Sequence, residues 1–407
     1  MLVTLLIFFL VLSILVLIHE LGHFLVAKKL HIKVEEFGFG FPPRVWGIRR
    51  GETLYSINLL PIGGFVKLFG EDDAGGGKVS LPLDSNKKKV LSKNVKHTTS
   101  YKLPSTDMKR AFFARSVGQR AAVILAGVIM NVLLAVIIFY VYLLVSGFKA
   151  ELPLIGSHTF FGVTQTTKSD VFINGVAKNS PAEKAGIPSL VLLKTVNGKE
   201  IKTVSEFTSV IKKDAGTEVT LTMLDSQTKK IITRKVTPRK DPPKGQGALG
   251  VTLFAADTAV LTYATPVQKV FSGFIHPANL MAYNLDIFAK LARVAIEKKD
   301  AAPLSEGVAG PVGIYSVVGT IVQIPDLKER SLQLLNLAGL LSISLAFFNV
   351  LPIPALDGGR LFFIVVEAIT RRKVNAKFET VVHTIGMAVL LLLIVLVTFK
   401  DVFQFIL

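Results

Sequence analysis

The sequence predicts a polytopic α-helical membrane protein with four transmembrane helices, a membrane-associated β-hairpin and one extracytoplasmic α/β domain. Three observations lead there. A mean hydropathy of +0.52, with 50% apolar and 19% charged residues over 407 positions, is too high for a soluble globule and far too high for a disordered chain. The apolar residues collect in four blocks, each near the roughly 20 residues that cross a bilayer. The polar residues collect in two long connections, which read as modules outside it.

Composition also excludes. With no cysteine there is no disulfide framework, thiol nucleophile, iron–sulfur cluster or Cys-ligated zinc, so any metal must use His, Asp or Glu. The net charge of +18 is scattered over loops beside the apolar blocks, with no basic stripe interleaved with aromatics. It fits the surface of a lipid bilayer, and no nucleic-acid partner is expected.

The first block, Leu2 to Ala27, has neither a basic leading segment nor a small-residue cleavage site before Lys28-Lys29, so it reads as a retained span over 1–27. Over 28–71, the run Phe37-Gly-Phe-Gly-Phe-Pro-Pro43 and the alternation of Leu54, Ser56, Asn58 with Tyr55, Ile57, Leu59 flank a turn at Arg50-Gly51-Glu52, a β-hairpin. Its apolar tail, Leu59 to Val66, suggests a sheet lying against or dipping into the bilayer. Over 72–110 follows a Lys-rich, mobile cytoplasmic insert. The other spans run from about Ala121 to Val145 within 111–147, Leu334 to Leu351 within 331–353, and Val381 to Phe399 within 380–407.

Orientation follows from Lys and Arg. The stretch Lys28–Arg110 holds 16 of them against 8 Asp and Glu, and the loop after the third span carries Arg360, Arg371, Arg372, Lys373 and Lys377, so both are predicted cytoplasmic. A connection as long as Gly147–Arg330 crosses largely regardless of its charge and is predicted outside.

Within that outer connection, Ser180-Pro-Ala-Glu-Lys-Ala-Gly186 starts and stops a short helix. A strand at Leu190–Leu193, the turn Asn197-Gly198, a helix at Val204–Lys213 and strands at Glu218–Met223 and Lys230–Val236 follow. This order resembles a PDZ domain over 158–240, with Pro188-Ser189-Leu190 where such domains usually have Pro-Gly-Asp. Peptide binding by strand addition and a purely steric role both stay open. The segment 241–330 reads as linker plus an amphipathic helix over Pro266–Glu297, either at the outer membrane surface or packed on the external domain.

The chemistry sits in the first span. His19-Glu20-Leu21-Gly22-His23 puts two imidazoles four residues apart, about 40° in azimuth on a helix, so they can share one metal with Glu20 beside them as a base. Ionisable residues at the centre of a span cost about 2.5–3.5 kcal/mol each, and a bound Zn²⁺ offsets that cost. Catalytic zinc needs a third protein ligand. His31, His97 and His158 lie in polar segments, His276 on the external helix, His383 at the start of the fourth span and Glu367 beyond the third. Asp357 stands out in Asn349-Val-Leu-Pro352-Ile-Pro354-Ala-Leu-Asp357-Gly-Gly359, where two prolines break the third span. A re-entrant loop, with a cytoplasmic segment completing 354–379, can then present the carboxylate at membrane depth.

These motifs resemble the site-2 protease class of intramembrane zinc metalloproteases, the bacterial regulator-of-sigma-factor proteases in particular. The likeness rests on His19 to His23, Gly38 to Pro42, Pro61 to Lys67, Gly127 to Asn131, the single PDZ-like unit, Gly310-Pro-Val-Gly-Ile314 and Asn349 to Gly359. It implies Zn²⁺ on His19, His23 and Asp357, with Glu20 and Asn349 catalytic, in a bacterial inner membrane with the active site toward the cytoplasm. It implies single-span membrane proteins already cut by another protease as substrates, such as anti-sigma factors or remnant signal peptides. The hairpin around Tyr55, Ile57, Asn58 and Leu59 is expected to hold the unwound substrate as an added strand. The rival class is a membrane metal-ion transporter or a PDZ scaffold, against which the absence of an internal repeat counts.

Overall fold

The computed structural model describes residues 1–71, 108–225, 230–300 and 309–405. The Lys-rich insert expected over 72–110, His97 included, lies outside the described residues up to 107. The chain forms two compact units, one of residues 1–145 and 272–407, the other of 146–271.

In the first unit, four helices are long and apolar enough to cross a membrane: α1 (Leu2–Lys29), α2 (Val117–Val145), α7 (Leu327–Val350) and α9 (Ala376–Phe405). Lys28 and Lys29 sit in the last turn of α1, where cations favour the C-terminal end of the helix dipole. The third span starts before the expected Leu334. The side chain of Asp326 accepts the Glu329 N–H at 2.7 Å and caps a first turn too charged for a hydropathy reading to include. α2 and α7 meet closely, and Ser342 Oγ donates to the Asn131 carbonyl at 2.8 Å between them.

Within the segment 354–379, expected to hold a re-entrant loop and a cytoplasmic stretch, the structure places a helix. Residues 351–356 and 371–375 are irregular, and α8 (Asp357–Thr370) lies between them, beginning at Asp357 itself. The prolines do end the third span, but Leu361, Phe363 and Ile364 recur at helical spacing immediately afterwards and restart a helix.

The hairpin forms as β1 (Val34–Arg50) and β2 (Thr53–Leu68) with its turn where expected. Its pairing is doubled: Glu36–Phe39 pair with Gly64–Lys67 on one side and with Leu54–Ile57 on the other, while Arg44–Arg50 pair back onto Thr53–Asn58. The sheet runs along α1, from Glu52 bonded to Lys28 to the Pro61 carbonyl, which accepts Ser13 Oγ–H at 2.7 Å. Fifteen helical residues separate those anchors, about 22 Å.

α5 (Pro266–Lys298) is the expected amphipathic helix with an unexpected inner face. Ser272, Gly273, His276 and Asn279 are buried while Val270, Phe271, Phe274 and Phe288 are exposed. A Cβ at Gly273 would lie 2.9 Å from the Val136 carbonyl oxygen, so the small residue is what allows α5 its approach to α2. α6 (Pro311–Val322) is capped by Asp401 of α9, whose Oδ2 accepts the Gly310 and Gly313 N–H groups at 2.9 and 2.8 Å.

In the second unit, one antiparallel sheet carries β3 (Lys149–Leu154), β9 (Val251–Thr262), β4 (Thr164–Val176), β5 (Val191–Val196), β7 (Val219–Asp225) and β8 (Ile231–Val236) in that order, with β6 (Lys199–Glu200) on β5. The helices α3 (Pro181–Lys184) and α4 (Val204–Lys213) form where the caps predict: Ser180 Oγ accepts Glu183 N–H and Thr203 Oγ1 accepts Glu206 N–H, both at 3.1 Å. The sheet outgrows the expected 158–240. β9 falls in what reads as linker, because Ala255, Ala256 and Asp257 interrupt its alternation.

At the base of the hairpin, Glu52 accepts two hydrogen bonds from Arg110, at 2.7 and 2.8 Å, and one from Lys28 at 2.9 Å. The Arg110 hydrogen bonds first, then Lys28, hold its carboxyl down at about 2 against an ordinary 4.5. A depressed carboxyl contributes stability that is whole above pH 4.5 and is lost as pH falls toward 2. The melting temperature of the wild type should therefore drop more steeply across that window than that of Glu52→Gln; parallel curves would contradict the ion-paired role.

Candidate metal centre

α1 presents His19 and His23 on one face, both buried, and α2 supplies the wall they lean on. At Gly127 a Cβ would sit 2.4 Å from His23 Nε2 and 2.8 Å from His19 Cε1, so only glycine leaves room for the two rings. His23 Nδ1 lies 2.8 Å from the Val123 carbonyl, which can only accept, so Nδ1 carries the proton and the Nε2 lone pair turns inward. His19 Nδ1 lies 3.3 Å from the amide of Asn131, whose Oδ1 is buried with no partner among the described residues. Turning that amide over puts Oδ1 on an Nδ1–H and gives His19 the same tautomer as His23.

Asp357 arrives from the opposite side, in the first turn of α8. Its Oδ2 is 2.9 Å from His19 Nε2 and 3.1 Å from His23 Nε2, and the two Nε2 atoms are 3.1 Å apart. Three donor atoms thus converge on one point. Two lone-pair-bearing imidazoles and a carboxylate in such contact suit a shared cation, and this N,N,O set is one that zinc takes. Glu20 lies in the same cluster, within 4.8 Å of the histidine nitrogens, but its Oε2 is turned to the backbone N–H of Val66 at 3.1 Å. A cavity of about 480 Å³ opens over the cluster, lined by Glu20, His23, Asp357 and the strand Phe65–Leu68, with Arg360 and Glu71 ion-paired across it.

Of the residues expected at the site, His19, Glu20, His23 and Asp357 come together. Asn349 is buried near the C-terminal end of α7. The hairpin expectation needs correction. Tyr55 and Ile57 pair on both sides, with Phe37 and Ile48 and with Phe39 and Trp46, so no edge is free there. Asn58 is buried and donates to the Gly40 carbonyl at 3.0 Å, and the Leu59 side chain is exposed. The edge beside the cluster is Gly64–Leu68, which the doubled pairing leaves outermost. Of the other candidates weighed for the metal, Glu367 pairs with Arg120 at 2.8 Å and His383 accepts the Ala355 N–H at 2.9 Å. The sequence reading missed Asn131 as a partner of His19; a lone Asn in an apolar span beside Gly127 was the available signal.

The profile of peptidase family M50 matches residues 7–393. The chain belongs to that family. M50 membership makes it a zinc metalloprotease of the site-2 class, an intramembrane enzyme in a multi-pass membrane protein, and removes the transporter and scaffold readings. Similar chains include one of Clostridium perfringens named as a zinc metalloprotease, 31% identical over 390 residues that cover 96% of each chain. The zinc metalloprotease RasP of Bacillus licheniformis is 28% identical over 450 residues, 98% of each chain, and the regulator of sigma-W protease RasP of Bacillus subtilis is 28% identical over 451 residues, again 98% of each.

Because the space at Gly127 is already filled by the two rings, Gly127→Ala should displace them and cut zinc retention by an order of magnitude or more against a competing chelator. Wild-type retention in that variant would mean the rings do not occupy this position in the working enzyme.

Proposed function

We propose that this M50 protease hydrolyses a peptide bond within the transmembrane segment of single-span proteins, with His19, His23 and Asp357 as the zinc ligands and Glu20 as the general base and acid. The observation that carries the reading is the convergence of the three donor atoms within 3.1 Å beside a strand edge, in a cavity that also holds Glu20. Bound there, Zn²⁺ supplies a Lewis acid that lowers the pKa of water and polarises a carbonyl.

Glu20 takes the proton from the attacking water and passes it to the departing amine, Val66 N–H orienting its carboxylate. Asn349 donates to the substrate carbonyl from the end of α7. A transmembrane helix hides its carbonyls in internal hydrogen bonds, so the substrate must unwind. The outer edge of Gly64–Leu68 receives it as an added strand, in place of the paired Tyr55–Leu59 stretch. The hairpin is membrane-associated on this reading: it follows α1 for about 22 Å and exposes Val45, Trp46, Leu59 and Leu60.

The active site faces the cytoplasm of a bacterial inner membrane. His19 and His23 lie 9 and 5 residues before Lys28, about 8–14 Å inside the basic end of α1. Substrates are proteins first shortened by another protease. A relative named for sigma-W regulation favours anti-sigma factors among them, and remnant signal peptides share the same single-span chemistry. Unit 146–271 is the PDZ-like module on the outer side and filters substrates by the size of what remains outside.

Purified full-length protein should cut a single-span peptide in bilayers and stop when zinc is chelated. Glu20→Gln should keep zinc and lose cleavage by several orders of magnitude, while His23→Ala and Asp357→Ala lose both. Zinc loss in Glu20→Gln, or full zinc and turnover in Asp357→Ala, would reverse the assignments.

A further inference from the structure

Asp357 can serve only if the six residues before it hold one conformation, and the backbone bonds inside the loop, Ile353 N–H to the Leu351 carbonyl at 2.6 Å and Leu356 N–H to the Ile353 carbonyl at 3.2 Å, do not engage the Ala355 N–H. Pro352 and Pro354 have no N–H to donate. Ala355 adopts φ +75°, a left-handed conformation that residues with a Cβ avoid, two positions before the carboxylate. A half-buried backbone donor at such a position is steadied by an acceptor.

It finds one on α9. The Ala355 N–H donates to His383 Nδ1 at 2.9 Å, across 28 residues of chain. One turn later on the same helix, Gly386 lies so close to the loop that a Cβ there would stand 2.2 Å from Pro354 Cβ. α9 is therefore cut to receive the loop at two successive points on one face, one polar and one steric.

The ring itself argues for this task. Accepting through Nδ1 fixes the tautomer with the proton on Nε2, and Nε2 is buried with no partner among the described residues. An unmatched buried donor is unfavourable, so an apolar side chain would suit this position better unless the acceptor were needed. His383 is 26 residues past Asp357, and its one hydrogen bond runs to the loop that presents that carboxylate.

We infer that His383 is a positioning residue for the metal centre: by holding Ala355 in its left-handed conformation it sets Asp357 Oδ2 against the two imidazoles. This rests on the assignment of Asp357 as a ligand. The readout is zinc affinity of the full-length protein in bilayers, by chelator competition, with peptide cleavage measured alongside. His383→Asn places a carbonyl oxygen where Nδ1 stands, whereas His383→Gln places it nearer Nε2. Both variants are polar amides, so a general polarity role would affect them alike.

His383→Asn should bind zinc within about threefold of the wild type, and His383→Gln should weaken it about 10–100-fold, the usual effect of losing a group that orients a ligand. Equal affinities in the two variants, whether both tight or both weak, would overturn the inference. Asp357→Ala is the third arm and should lose more affinity than either. Wild-type affinity there would remove Asp357 from the ligand set and this inference with it, so the two failures read apart.

Discussion

The structure depends on three polar atoms meeting inside an apolar bundle. His19 and His23 come from the opening helix, and Asp357 comes from a turn 338 residues beyond His19. Each would be costly at that depth alone. A divalent cation reconciles two inward lone pairs with a carboxylate, and the N,N,O set leaves a fourth position for water. The remaining features can be read as what this meeting requires of its neighbours.

The requirements differ in kind. α2 gives space, through Gly127, and acceptors, through the Val123 carbonyl and the Asn131 side chain. The hairpin gives a donor, Val66 N–H, which aims Glu20 and leaves that strand's outer edge alongside the same cavity. α8 begins at Asp357, so the carboxylate sits on the first turn of a helix rather than on a free loop. Chemistry in a membrane needs water at the metal and an extended substrate in place of a helix, and in the proposed function a strand edge beside the cluster answers the second need.

Much of this was legible in the sequence. Spans are legible because the bilayer fixes their length and composition. The HExxH spacing is legible because helical geometry turns four residues into one shared face, and Asp357 is legible because prolines and glycines mark where a span must break. What escaped reading was set by pairing between distant segments. The doubled register of the hairpin closes the edge at Tyr55–Ile57 and opens one at Gly64–Leu68, and alternation alone cannot count how many neighbours a strand will have. The pairing of Asn131 with His19 escaped because 112 residues separate the two. β9 was missed because two alanines and an aspartate blur its period.

Zinc K-edge X-ray absorption on the full-length protein in bilayers tests the central claim most directly, since it reads the ligand atoms themselves. The expected spectrum fits two imidazole nitrogens at about 2.0–2.1 Å and carboxylate or water oxygens at about 2.0–2.2 Å. A first shell with one imidazole, or with three, would contradict it.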